Sequence, residues 1–436
     1  MKKFTRIILC LMLCVVSFMT IACDSRTKEE KAFTYPTHSD ETYGNGGLAV
    51  RKGDYLYFVN GYASYTSMKK KNAKYSVGSL LLAKLDANGN VVTEENGNID
   101  DDYYISMSKK LCGYEATGLY VFGDYLYFTS PCQTDDSKTE KWAKERVDFY
   151  RIKLDKSSKV EKLYTTAVSN ENLEFSIFES GNKVVIATYE KGESLNSKGG
   201  KDVLVTVVGK ADPSKTQNVN DVVFTSDSVL FSVVEDGNYV VKRKDASGTS
   251  EFADFESSVS FEGCTEDYVF IKSSEELVRY DLETKESLII FEDFGYDEIA
   301  VDPMGNIVLA VSENVVDCYR NGELIEGQYV EDSEGINIIG LVQGNLIYYT
   351  DEAEDANKIK SINYSDLIEG IDVAPTEIAT ISNLDTDHFD INEDYVYFFK
   401  TIGDNKYLHK LHVINNLDEV EVLVGVVKSS DLKVVE

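Results

Sequence analysis

Histidine, the side chain best suited to acid–base work and metal binding near neutral pH, occurs only four times, as His38, His388, His409 and His412. His409 and His412 are three apart on a predicted strand, which points them to opposite faces and away from a shared ion. Asp86-x-Asn88-x-Asn90 has the opening spacing of a calcium loop but lacks the later bidentate acid, so it reads as a strand-to-strand turn. The run Asp100, Asp101, Asp102 would suit paired-carboxylate hydrolysis of a glycoside. With 75 Asp+Glu in the chain, however, adjacent acids carry little information. No G-x-S-x-G elbow, H-E-x-x-H, phosphate loop or dinucleotide fingerprint occurs. The expectation is no catalytic residue, no metal site and no cofactor.

Recognition chemistry is better represented. Three long polar insertions, residues 60–79, 96–115 and 131–148, carry Tyr62, Tyr65, Tyr75, Tyr103, Tyr104 and Trp142 beside the cluster Lys69, Lys70 and Lys71. Aromatic and basic groups on an otherwise acidic protein suit a glycan or an acidic peptide. The competing reading is that these aromatics only anchor the loops. Cys112 and Cys132 flank a turn at Gly123-Asp124 at similar distances, where a secreted protein could join them as a disulfide. Cys264 and Cys318 fall inside separate predicted strands and read as buried thiols.

The N-terminus reads as an address. Lys2, Lys3 and Arg6 precede an apolar run from Ile7 to Met19, interrupted only by Ser17, which has the size of a signal-peptide core and is too short to span a bilayer. Thr20-Ile21-Ala22-Cys23 then resembles a bacterial lipobox, with Thr20 standing where that pattern prefers Leu. The resemblance implies acylation of Cys23 and attachment by lipid alone to the extracytoplasmic face of a bacterial membrane. It divides the chain into a signal peptide (1–22), a lipidated tether (23–44) and a folded region (45–436). Residues 1–22 hold three bases and no acids, so without them 41 Lys+Arg face 75 Asp+Glu, a net charge of −34. Such a surface repels nucleic acid and anionic lipid.

The elements that must position these residues form a repeat. "GDYLYF" at Gly53 recurs at Gly123, then as "GNKVVI" at Gly181, "SDSVLF" at Ser226, "EDYVFI" at Glu266, "GNIVLA" at Gly305, "GNLIYY" at Gly344 and "EDYVYF" at Glu393. The second position is Asp or Asn in all eight, between two apolar runs, as a tight hairpin requires. Successive copies are 70, 58, 45, 40, 39, 39 and 49 residues apart, and a four-stranded propeller blade needs about 40 to 50. The strand after each turn is apolar on both alternating sets, as Tyr55 and Tyr57 against Leu56 and Phe58, so it must be covered on both faces. Blades packed around an axis achieve that. The expected fold is all-β, a β-propeller of four-stranded antiparallel blades, eight in number, or seven if the copy at Gly181 is an irregular half-blade. Residues 32–36 or 432–436 are the candidates for closing the ring.

Tyr348-Tyr349-Thr350-Asp351, followed by Lys358-Ile359-Lys360-Ser361-Ile362, resembles the Tyr-Trp-Thr-Asp repeat of low-density-lipoprotein-receptor propellers and of related bacterial lipoprotein domains of unknown function. The resemblance implies the fold and no ligand. In a blade, the first-to-second and third-to-fourth turns share one face of the disc, and the second-to-third and blade-to-blade links share the other. The three long insertions are expected on this second face, over the first two blades, as functional loops on a rigid scaffold. The expected function is a monomeric, membrane-anchored module binding a protein or glycan there. The alternative is a propeller enzyme acting on polysaccharide through acids near the central channel.

Overall fold

The computed structural model describes residues 35–37, 39–63, 78–92, 104–108, 117–131, 147–166, 172–190, 201–207, 218–274, 276–292, 295–351, 356–403, 405–414 and 423–424. Its strands fall into eight antiparallel sheets of four or five strands, each built from consecutive stretches of chain except the last, which also takes in Tyr62–Ala63. Blade 5 shows the pattern: Ser260–Cys264, Tyr268–Lys272, Glu276–Asp281 and Ser287–Glu292 pair in that order. The others occupy 42–108, 120–165, 173–219, 221–255, 298–331, 337–382 and 384–424. The chain is an eight-bladed β-propeller. The copy at Gly181 forms a full four-stranded blade, which removes the seven-bladed alternative.

All eight Gly-Asp-type pairs lie between the first and second strands of a blade. In six of the eight the residue before the Asp or Asn is left-handed, as at Gly53 (φ 56°) and Glu393 (φ 56°); Ser226 and Glu266 are the exceptions. The Asp or Asn itself contributes its backbone carbonyl, which accepts an N–H from just beyond the third strand. Leu85 donates to Asp54 at 2.8 Å, Leu154 to Asp124 at 3.0 Å, Leu282 to Asp267 at 2.8 Å and Val413 to Asp394 at 3.0 Å. These four hairpins are thereby stitched to the strand behind them.

Packing follows from the two-faced second strand. In Tyr395–Ile402, Tyr397 and Phe399 join a core with Leu56, Phe58 and Leu82 of blade 1, while Val396 and Phe398 join another with Ile347 and Ile359 of blade 7. One strand feeds two interblade cores. Each such buried ring contributes about 1.5–3 kcal/mol relative to exposure.

The seam between blades 8 and 1 closes the ring. At its inner side the Asp390 carboxylate accepts the Leu48 N–H at 3.0 Å, and Asn392 donates to the Ala49 carbonyl at 3.3 Å. Arg51 grips both oxygens of Glu393 at 2.7 Å, which explains why the eighth copy carries Glu at the left-handed position that elsewhere is often Gly. At the outer side the closing strand is internal. Tyr62–Ala63, from the second-to-third connection of blade 1, pairs with Lys406 and Asn405 in the third strand of blade 8. Leu423–Val424 pairs further along that strand. Neither terminal candidate is seen to close the ring: of 32–36 only 35 and 36 are described and they are not in a strand, and 432–436 lie outside the described residues. Gly61 permits the crossing, because a Cβ there would meet the Lys406 carbonyl oxygen at 2.1 Å.

Candidate functional site

The face carrying the second-to-third and blade-to-blade connections has three features built from described residues. The first is the root of the blade 1 loop. Tyr62 is only 3% exposed and its ring meets Phe399 edge-on, with centroids 5.0 Å apart. This corrects its assignment as a ligand-facing aromatic, since the strand pairing turns its side chain into the closing seam.

The remaining candidates divide by connection. Tyr65, Lys69, Lys70, Lys71 and Tyr75 belong to the second-to-third connection of blade 1 and Trp142 to that of blade 2, as expected, and all six lie outside the described residues. Tyr103 and Tyr104 differ. The fourth strand of blade 1 is Tyr104–Ser108, so residues 96–103 fall in the third-to-fourth connection, which belongs to the opposite face. The expectation that all three insertions crowd one face fails here, because the third strand ends at Lys84 and the insertion precedes its partner. Tyr103, Cys23, Cys112 and Cys132 also lie outside the described residues.

The second feature is an ion network at the link between blades 6 and 7. Asp332, 6% exposed, accepts from the Tyr348 hydroxyl at 2.5 Å and from Lys360 Nζ at 2.8 Å. Lys360 also reaches Glu334, which Lys358 contacts at 3.0 Å. Burial alone would raise the Asp332 carboxyl, but Lys360, Tyr348 and the Glu334 N–H hold it below its ordinary value. Tyr348, Lys358 and Lys360 come from the stretch resembling the Tyr-Trp-Thr-Asp repeat, and here they fasten two blades together.

The third feature is unexpected from sequence. The first strand of blade 8, Leu384–Asn392, loses register between Asp385, opposite Phe399, and Phe389, opposite Phe398. Three residues of one strand thus face none of the other, a bulge. It gathers Asp385, Asp387 and His388, whose ligand-type atoms all lie within 4.8 Å of one another. Asp385 is buried; its Oδ2 takes Lys406 Nζ at 2.6 Å and its Oδ1 accepts the Asp387 N–H at 3.2 Å. His388 packs edge-on against Phe399 at 6.4 Å, beside the Tyr62 contact. Strict strand alternation would send Asp387 and His388 to opposite faces, so no periodicity argument could group them.

Two further acids sit on the first strands of blades 5 and 6. Glu262 and Glu298 line a cavity of about 10 Å³ with Tyr296 and Leu277. That holds about one water and no sugar ring. Burial raises the Glu298 carboxyl. On the opposite face a cleft of about 300 Å³ lies between blades 4 and 5, lined by Asp227, Glu266, Asp267 and Asp281. There Arg243 binds both Asp227 oxygens at 2.8 Å and the Leu282 carbonyl at 2.9 Å, so the cleft's one arginine is engaged in fixing the two blades.

No protein-family profile matches the sequence, and no curated protein matches it. Among solved structures, the chain is similar to apo AztD from Citrobacter koseri, at 9% identity with a TM-score of 0.40, over 78% of this chain and 93% of that one. It is similar to Hsv2p from Kluyveromyces lactis at 9% identity and a TM-score of 0.42, over 69% and 94%. TolB from Acinetobacter baumannii matches at 14% identity and a TM-score of 0.32, over 67% and 78%. These values carry no argument about ligand or activity, and the fold assignment rests on the strand order itself.

Proposed function

We propose that this chain is an extracytoplasmic lipoprotein of the bacterial cell envelope, anchored through acylated Cys23, whose propeller holds a protein or glycan partner on the face of the blade 1 and blade 2 loops. The observation that carries the reading is the rooting of the blade 1 loop. The connection bearing Tyr65, Lys69, Lys70, Lys71 and Tyr75 leaves the scaffold through Tyr62–Ala63, which is paired to blade 8, with Tyr62 buried against Phe399. A loop tied to two blades at its base loses less freedom on binding than one tied to a single hairpin.

The lysines give that loop a local positive charge on a chain of net charge −31, which favours an acidic glycan or acidic peptide. The chain's likeness to the low-density-lipoprotein-receptor type of propeller rests on Tyr348–Asp351 and Lys358–Ile362 and supplies no ligand. Nucleic acid is disfavoured by the acidic surface, and the module is expected to act as a monomer.

Two experiments test the reading. Metabolic labelling with palmitate should mark the wild type and not Cys23→Ala; equal labelling of both removes the anchor. A glycan array and a pull-down with the mature protein should yield a partner whose binding is lost on changing Lys69, Lys70 and Lys71 together to Glu. A partner bound equally well by that variant would place recognition elsewhere.

A further inference from the structure

We infer that Asp385, Asp387 and His388 form a binding site for one divalent transition-metal ion, of which zinc is the best fit, on the loop-rich face beside the ring-closing seam. This departs from the expectation of no metal site, and it does not depend on the proposed partner binding.

The donor set is one imidazole and two carboxylates, a combination suited to zinc and poorly matched to calcium, which takes oxygen ligands alone. Zinc bonds to such donors are about 2.0–2.2 Å long, so three donors sharing a zinc ion must stand closer together than the present limit of 4.8 Å. The bulge allows that contraction. Asp387 and His388 lie in the bulge between two registers, where a local inward shift leaves the ladder on either side formed. Asp385 is the fixed member, buried and oriented by the Asp387 N–H and by Lys406.

Lys406 is the second and independent part of the argument. It comes from a different strand, the third of blade 8, and places an ammonium 2.6 Å from Asp385 Oδ2. A cation therefore already occupies one edge of the cluster. Metal and ammonium compete for the same carboxylate, so Lys406 sets the affinity of the site: removal of a ligand and removal of the lysine must act in opposite directions. A plain structural ion pair has no such two-sided response.

The test uses the mature protein in detergent, stripped with chelator and titrated with zinc chloride against a chromophoric zinc chelator. One zinc per chain is expected. His388→Ala and Asp387→Asn should each weaken binding by at least about 10-fold, the lower end of what loss of a ligand's supporting hydrogen bond costs, and Lys406→Met should tighten it. Asp387 is exposed, so its variant keeps the reading interpretable if His388→Ala folds poorly. Absence of zinc binding up to about 0.1 mM overturns the inference. So does binding of unchanged affinity in both ligand variants, or a Lys406→Met variant that binds no more tightly than wild type.

Discussion

Tyr62 of the first blade meets Phe399 of the last edge to face, with ring centroids 5.0 Å apart and planes inclined at 71°. The contact joins the two ends of the ring, and its backbone partner is a ladder of two residues, Tyr62 to Lys406 and Ala63 to Asn405. So short a ladder is weak without a buried anchor. Tyr62→Ala should therefore lower stability by about 3 kcal/mol, as truncation of a buried aromatic does. Gly61→Ala should act in the same direction, because its Cβ would meet the Lys406 carbonyl oxygen. Urea unfolding checks both; an unchanged midpoint in Tyr62→Ala would show that the seam is held elsewhere.

Asp332 ties blade 6 to blade 7 through Tyr348 and Lys360. Asp332→Ala leaves the largely buried Lys360 ammonium with Glu334 as its acidic partner and should cost about 3 kcal/mol at pH 7. The Asp332 carboxyl is held below its ordinary value in the fold. Its contribution is then present above the unfolded-state pKa, about 3.9, and is lost as pH falls through the lower folded value. The variant should be destabilised most at neutral pH and least near pH 2. A gap between wild type and variant that is the same at both pH values would contradict the pairing.

Most of the fold was legible in the sequence because its cause is local. The Asp or Asn after each turn and the doubly apolar strand following it recur in every blade, and both are properties of a few neighbouring residues. Ring closure was not legible: the pairing of Tyr62 with Lys406 depends on residues 344 positions apart, and nothing in "NGYASYT" differs from an ordinary loop. The Asp385–His388 cluster was hidden for another reason. Grouping those side chains requires a register shift opposite Phe399, and alternation predicts the reverse. The division of the aromatic candidates between two faces turned on where the fourth strand of blade 1 begins, and strand boundaries are the weakest part of any pattern reading.

His409 is 4% exposed, stacks on Phe398 at 5.7 Å, and neither ring nitrogen has a hydrogen-bond partner. Burial, with Lys400 adding to it, brings its pKa down to about 4. The unfolded chain takes up the proton near pH 6.5 and the folded chain resists until about 4, so stability falls across that window by about 3 kcal/mol. His409→Phe keeps the stack and removes two unsatisfied polar atoms. It should match or exceed wild-type stability at pH 7 and exceed it clearly at pH 4.5. Thermal melts at the two pH values decide this, and a variant that loses as much stability on acidification as wild type would rule the histidine out.

Cys264 and Cys318 are free thiols in separate blades, and burial pushes both up to about 11. At pH 8 only about one in a thousand would be thiolate, and the thiolate is the reactive form. Cys264 is further held by donating to the Phe224 carbonyl at 3.2 Å. In a mature chain lacking Cys23, Ellman's reagent should therefore leave both unmodified while the protein is native and label them once it unfolds. The count on unfolding without reductant then reports on the other pair. Two reactive thiols mean that Cys112 and Cys132 are joined, and four mean that they are not. Rapid labelling of Cys264 or Cys318 in the native state would show that the interblade cores open far more readily than their packing implies.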